Sequence, residues 1–254
     1  MAQVTTYFNG INVYAGPAMI LTRSRDAALT QVSALTTPNP TSTTFTVSTA
    51  DGAKLNLGDL CCLATVTPNS FLVAEAGTLS MITAMVAGTA GSNLTVSPAI
   101  GTPPTTASGV TRVWTNRGAT TGGIEWSTAP AINLLYVDQS LPPVSAVDKE
   151  KVIMFKAPLA EATLTNYALV AGMKDPASGL VLQYNSTDAS ATTAFLLIQK
   201  AQNGKNRYTI AHKCKVNGAA VHKSDKTNPP IYALQAMVLV DSTMVPDTFD
   251  AGDI

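Results

Sequence analysis

GGIEWSTAPAINLLYV, residues 122–137, is the stretch on which the reading of the chain turns. Two glycines open a run in which Ile124 and Trp126 alternate with Glu125 and Ser127, the period-two pattern of a strand with one covered face. Ala129-Pro130-Ala131 interrupts the run, and Ile132 to Val137 resumes it with Leu134 and Tyr136. The pattern predicts a hairpin with a loose turn at the proline. Outward from it, Val152 to Lys156, Phe195 to Gln199, Tyr208 to Lys213 and Tyr232 to Val240 read as further strands. One segment has a different period. Between Pro158 and Gly172, Leu159, Ala162, Leu164, Tyr167, Ala168 and Ala171 recur at spacings of three and four, with proline near the start and glycine past the end. A helix is expected there, with Leu159, Leu164, Tyr167 and Ala168 buried against the sheet. An aspartate at Leu164 would then abolish folding.

Charge divides the sequence. Residues 30–115 carry only Asp51, Asp59, Glu75, Lys54 and Arg112, whereas residues 199–226 carry seven Lys or Arg against Asp225 alone. Thr36 to Thr44 and Gly101 to Gly109 are rich in Pro, Thr and Ser, as connecting stretches are. Short β-type runs lie between them, at Thr44 to Ser48, Leu60 to Val66, Leu79 to Val86 and Asn93 to Ser97, and their length and spacing suggest a small barrel or sandwich. The chain therefore reads as mainly β, with one domain formed by residues 1–29 and 110–254 and a small all-β domain, residues 30–109, inserted into it.

Across all 254 residues, 13% are charged and the formal net charge is +0, against about 25% charged in ordinary soluble domains. A surface of Thr, Ser, Asn, Gly and Ala repels its neighbours weakly, which suits a protein that packs against copies of itself. The apolar runs are short or broken by polar residues, so no membrane span is expected. MAQVTTYFNG, residues 1–10, has neither a basic start nor an apolar run, which predicts synthesis and assembly in a cytoplasm. Cys61, Cys62 and Cys214 read as buried thiols, the adjacent pair pointing to opposite faces of a strand.

Motifs for chemistry are missing. His212 and His222 stand ten apart among lysines, outside any metal-ligand spacing, and Asp148 and Glu150 alternate with Lys149 and Lys151 in what reads as a solvated loop. The run GATTGG, residues 118–123, fails the dinucleotide fingerprint and reads as a turn. The sequence predicts no enzyme, no metal and no cofactor. Lys200, Lys205, Arg207, Lys213, Lys215, Lys223 and Lys226 form a basic cluster with few aromatics among them, better suited to acids on a neighbouring subunit than to nucleic acid. Asp247 to Ile254, with three aspartates, reads as a flexible acidic tail, a contact with the basic cluster being the alternative.

Three segments in order, Arg117-Gly-Ala-Thr-Thr-Gly-Gly-Ile-Glu-Trp126, then Tyr136-Val-Asp138-Gln139-Ser-Leu-Pro142-Pro143-Val144, then Leu159-Ala-Glu161-Ala-Thr163-Leu-Thr-Asn166, resemble the core of the tail tube proteins of long-tailed bacteriophages. Gly16-Pro17-Ala18 resembles the family's first strand, and the likeness spans roughly residues 1–28 and 117–254. It implies a β-sandwich tube domain with one packed α-helix, assembling as stacked, hexameric rings into a hollow tail tube through which DNA passes. Partners would be copies of the chain itself and other tail proteins, with DNA as non-specific cargo, and the location the virion tail. Ile124, Trp126, Leu134 and Tyr136 would belong to the sheet at the subunit interface and lumen, with Asp138 and Gln139 near a contact between subunits or rings. Two other readings keep the β-rich, weakly charged character: a capsid decoration protein, and a carbohydrate or surface binding module. Residues 30–115 hold only Phe45, Phe71 and Trp114 as aromatics, which disfavours the binding module.

Overall fold

A strand that is apolar on both faces must be covered on both. AMIL at 18–21 and AFLLI at 194–198 are such runs, and the architecture is arranged around them. The computed structural model describes residues 18–25, 31–35, 43–64, 79–88, 91–97, 109–135, 145–161, 163–173, 192–200, 206–216, 232–243 and 249–253. In chain order the strands are β1 (Ala18–Ser24), β2 (Gln31–Ala34), β3 (Thr44–Val47), β4 (Leu60–Ala64), β5 (Ser80–Gly88), β6 (Gly91–Ser97), β7 (Gly109–Ala119), β8 (Glu125–Leu135), β9 (Ser145–Leu159), β10 (Thr193–Lys200), β11 (Asn206–Val216), β12 (Tyr232–Val238) and β13 (Phe249–Asp253). Two helices, α1 (Thr49–Gly52) and α2 (Leu164–Val170), complete the described elements. The protein is mainly β, and no helix among the described residues is long and apolar enough to cross a membrane.

Among the described residues all the strand pairings are antiparallel, and eleven strands run in one path, β3-β6-β5-β4-β7-β1-β10-β11-β12-β9-β8, with β2 beside β7 and β13 beside β11 off it. The path turns back on itself twice. β2 lies beside β7, and a bridge from Leu35 to Val47 joins the end of β2 to β3, which closes a circuit of β2, β7, β4, β5, β6 and β3. A bridge from Thr120 to Leu159 joins the ends of β7 and β9, which closes a second circuit of β7, β1, β10, β11, β12 and β9. β7 belongs to both: Gly109 to Trp114 face β2 and β4, and Thr115 to Ala119 face β1.

Three apolar clusters follow from period-two alternation. Phe45, Val47, Cys61, Ile82, Leu94 and Val110 pack together with Leu35 and Leu55. Ile20, Phe155, Leu159, Phe195, Leu197, Cys214, Tyr232 and Leu234 form a second cluster, covered by Leu169 and Val170 of α2. The third joins the circuits, because Met19, Leu21, Leu196, Ile198, Tyr208 and Ile210 pack against Leu60, Cys62, Leu79, Met81, Val113 and Trp114. Cys61 and Cys62 thus serve different clusters, and all three cysteines are buried thiols outside any disulfide. Burial pushes the Cys62 thiol up to about 11 and raises Cys61 and Cys214 as well. Each fully buried Leu, Ile, Met or Phe contributes about 1.5–3 kcal/mol relative to an exposed one.

Several expectations need correction. The proline does not make a hairpin turn: β8 runs from Glu125 to Leu135, with a shift of register against β9 between Ala131 and Ile132. Pro130 is accommodated because β8 ends the strand order, where a missing N–H breaks no ladder on the outer side. The helix is shorter than the spacing implied. Pro158 and Leu159 belong to β9, opposite Ala233 and Tyr232, since the alternation of buried Phe155, Ala157 and Leu159 continues through the proline. Thr163 caps α2 by accepting from the Asn166 N–H at 3.2 Å. Its other end is closed by Gly172 at φ +67°, with the Gly172 N–H donating to Leu169 O and the Met173 N–H to Ala168 O. Leu159 and Ala168 are buried, and Tyr167 is half-buried with its ring 5.7 Å from that of Tyr232. Leu164, however, is 45% exposed, because it opens the first turn directly after the cap. Leu164→Asp is accordingly expected to shift stability by less than about 1 kcal/mol, since an acid in the first turn is favoured by the helix dipole. A urea midpoint at least as low as that of a core truncation would refute this. The acidic terminus is not a free tail: β13 pairs with β11 from Ala211↔Phe249 to Arg207↔Asp253, along the part of β11 that β12 leaves open. α1, capped by Ser48, follows β3 directly.

Candidate functional site

The edge strand is the first candidate surface. Gly123 at φ +82° turns the chain from β7 into β8, so the run at 118–123 is strand as far as Ala119 and turn only after Thr120. β8 pairs with β9 along its whole length, from Glu125↔Lys156 to Leu135↔Ser145. β12 takes only Ile153 to Leu159 of β9. Residues 129–135 and 145–152 therefore form a two-stranded extension with no third strand among the described residues. Ile124, just before β8, packs against the second cluster. Trp126 lays its ring 5.2 Å from that of buried Phe155 yet remains 36% exposed, because nothing described covers the outer side of β8. Leu134 sits on β8 opposite Ala146, whereas Tyr136, Asp138 and Gln139 lie outside the described residues. The structure thus places Trp126 and Leu134 on β8 and Ile124 immediately before it.

The basic strand is split by an irregularity. Between Ala211 and Cys214 the register of β11 against β10 shifts, so that Tyr208 and Ile210 serve one cluster while Ala211, Cys214 and Val216 serve another. Lys215 is exposed and Lys213 half-exposed, alternating with buried Cys214 and Val216. His212 is buried in the same strand. Lys200 lies at the end of β10, and Lys205, Lys223 and Lys226 lie outside the described residues.

A second candidate was not visible in the sequence. A cleft of about 480 Å³ lies between Asn56 to Gly58, Asn116 to Ala119 and the entry to α2. Beneath it Asp59 is fully buried, its Oδ1 accepting from the Asn116 N–H at 2.6 Å and its Oδ2 from the Asn56 N–H at 2.9 Å. Arg112 Nη1 stands 3.7 Å from Oδ2. Burial pushes this carboxyl up to about 6, against the opposing pull of the two N–H donors and Arg112. Arg117, also buried, donates from Nε to Thr22 Oγ1 at 2.7 Å, and its carbonyl accepts from Asn166 Nδ2 at 2.8 Å. Asn166 Nδ2 donates again to Glu161 O at 3.0 Å, which pins the helix entry to β7. The Glu161 carboxylate lies over Gly118, where an added Cβ would stand 2.4 Å from Cδ. Only a glycine, here at φ +91°, lets the acid sit there.

No protein-family model matches this sequence, and no curated protein matches it. Function is therefore argued from the geometry. Arg117, Glu161 and Asn166, from two of the three resembling segments, meet at the cleft. Among the described residues no three His, Cys, Asp or Glu side chains are placed to hold a metal.

Proposed function

We propose that this chain is a structural virion protein, not an enzyme, which self-assembles into stacked rings, six subunits to a ring, to form a hollow tail tube for DNA. The observation that carries the proposal is the edge strand β8, eleven residues long, with its two-stranded extension and the exposed Trp126. A long open edge invites pairing with another chain, and a ring closes every such edge. The second cluster draws on Ile20 and on residues 155–236, and the first on residues 35–110. That division supports a β-sandwich tube domain from residues 1–29 and 110–254 carrying a small inserted β domain, residues 30–109. Assembly would take place in the host cytoplasm, with copies of the chain and other tail proteins as partners and without cofactors. DNA as cargo requires a lumen that does not hold phosphates, so Lys213 and Lys215 would face away from it or be paired. Negative-stain electron microscopy of the concentrated protein is expected to show hollow tubes or six-fold rings. Uniform monomers or trimers up to millimolar concentration would overturn the proposal in favour of a capsid decoration protein or a surface-binding module.

A further inference from the structure

Most polar groups around the cleft are engaged with one another. Asn116 Nδ2 donates to Leu57 O at 2.8 Å and its Oδ1 accepts from the Gly118 N–H at 2.9 Å. Both Nδ2 hydrogens of Asn166 are spent on the carbonyls of Arg117 and Glu161. Arg117 Nε is committed to Thr22 Oγ1. Two acceptors stand out. Asn166 is 1% exposed and lines the cleft, and its Oδ1 has no hydrogen-bond partner among the described residues. The Glu161 carboxylate lines the same cleft and makes no ion pair among the described residues. The hydroxyls of Thr163 and Thr165, which lie 3.0 Å apart, complete the rim. A buried carbonyl oxygen without a donor, beside a carboxylate without an ion pair among the described residues, is the complement of a cationic donor.

We infer that this cleft receives a lysine ammonium or arginine guanidinium group presented by a second copy of this chain. The inference rests on the self-assembly proposed above and names a contact within it. Charge complementarity argues for a copy as the source: the chain is neutral overall, yet residues 199–226 hold seven basic residues to one acid. Lys215, exposed on β11, and Lys156, exposed on β9, make no ion pair among the described residues. A buried asparagine that lacks a donor raises the benefit of filling the cleft, since an unmade hydrogen bond in a buried site is costly. Such a contact would set the register between subunits, which is what interfacial charges do best.

Two measurements on the full chain test it together. Dilute protein is titrated with n-propylguanidinium while the Gly118 and Asn166 amide resonances are followed, in the native chain and in Glu161→Gln, whose folding is checked by its melting temperature. Saturable shifts in the native chain that vanish in Glu161→Gln are expected, and their absence overturns cation recognition. Polymer formation is then compared. Glu161→Gln is expected to raise the critical concentration about tenfold, with high salt narrowing the difference. Unchanged polymerisation alongside lost shifts would make the occupant a free amine and overturn the role of the second copy. A native chain that binds the probe but never polymerises would overturn the assembly proposal and the second-copy occupant, leaving cation recognition standing.

Discussion

Phe155→Ala is expected to lower the free energy of unfolding by about 3–5 kcal/mol. Phe155 is fully buried in the middle of β9, opposite Trp126 on one side and Ala236 on the other. Its ring lies edge-on to that of Phe195, 5.0 Å away, and 5.2 Å from Trp126. Removing it leaves a cavity that strands tied on both sides cannot collapse into, and it takes away the surface on which the edge strand rests. The loss should appear as a lowered denaturant midpoint with an unchanged m-value, and amide exchange should quicken over residues 125–128 before it does in β10. Lys156→Ala, one position along and exposed, serves as control and should stay within about 0.5 kcal/mol. A cost below about 1 kcal/mol for Phe155→Ala would show that the second cluster is not what holds β9 to the rest.

The other large effect follows from Asp59. Its carboxyl titrates near 6 when folded against an ordinary 3.8. A folded value above the unfolded one means that the folded state binds the proton more tightly. Asp59 therefore favours folding fully below about pH 4, and that contribution fades as pH rises through about 6. Two units correspond to about 3 kcal/mol. Asp241 acts elsewhere on the scale: hydrogen bonds from Arg25 and Thr243 hold it down at about 2, so its contribution is present above about pH 4 and lost as pH falls through about 2. Denaturation at pH 4 and pH 7 is expected to give a native chain that loses about 2 kcal/mol more than Asp59→Asn over that interval. Asparagine cannot ionise, yet it keeps one acceptor for the Asn56 or Asn116 N–H, so the variant should fold with a fixed cost. Parallel pH profiles for the two proteins would mean that Asp59 ionises as freely as an exposed carboxylate.

Alternation made most of the strands legible. Cys61 and Cys62 could be sent to opposite faces from their adjacency alone, and the runs at 194–198 and 208–213 were plain. Two errors share one cause, since both came from a proline. Pro130 suggested a turn and Pro158 a helix start, yet each sits in a strand, the first at an open edge and the second where Ala157 and Leu159 keep the period of two. Local sequence does not say which strand lies at an edge, and that decides whether a missing N–H matters. Leu164 was misplaced because its spacing to Ala168 fits a helix face, whereas a residue just after the cap projects beyond the sheet that covers the following turn. The cleft was illegible for another reason. Asp59 meets Asn116 across 57 positions and Asn166 meets Arg117 across 49, and no motif spans such separations. Its residue types are also ordinary ones for turns and caps, so that only the pairing of β4 with β7 and the bridge from Thr120 to Leu159 make them neighbours.

β7 has a mechanical consequence. A linker between two bodies lets each swing without disturbing the other, but here one strand supplies a wall to both circuits, Gly109 to Trp114 to the first and Thr115 to Ala119 to the second. A pull on either body travels along the covalent backbone of that strand and meets hydrogen-bonded ladders on both flanks. Deflection under load is thereby resisted in shear, with many bonds stretched at once, where a hinge would yield one at a time.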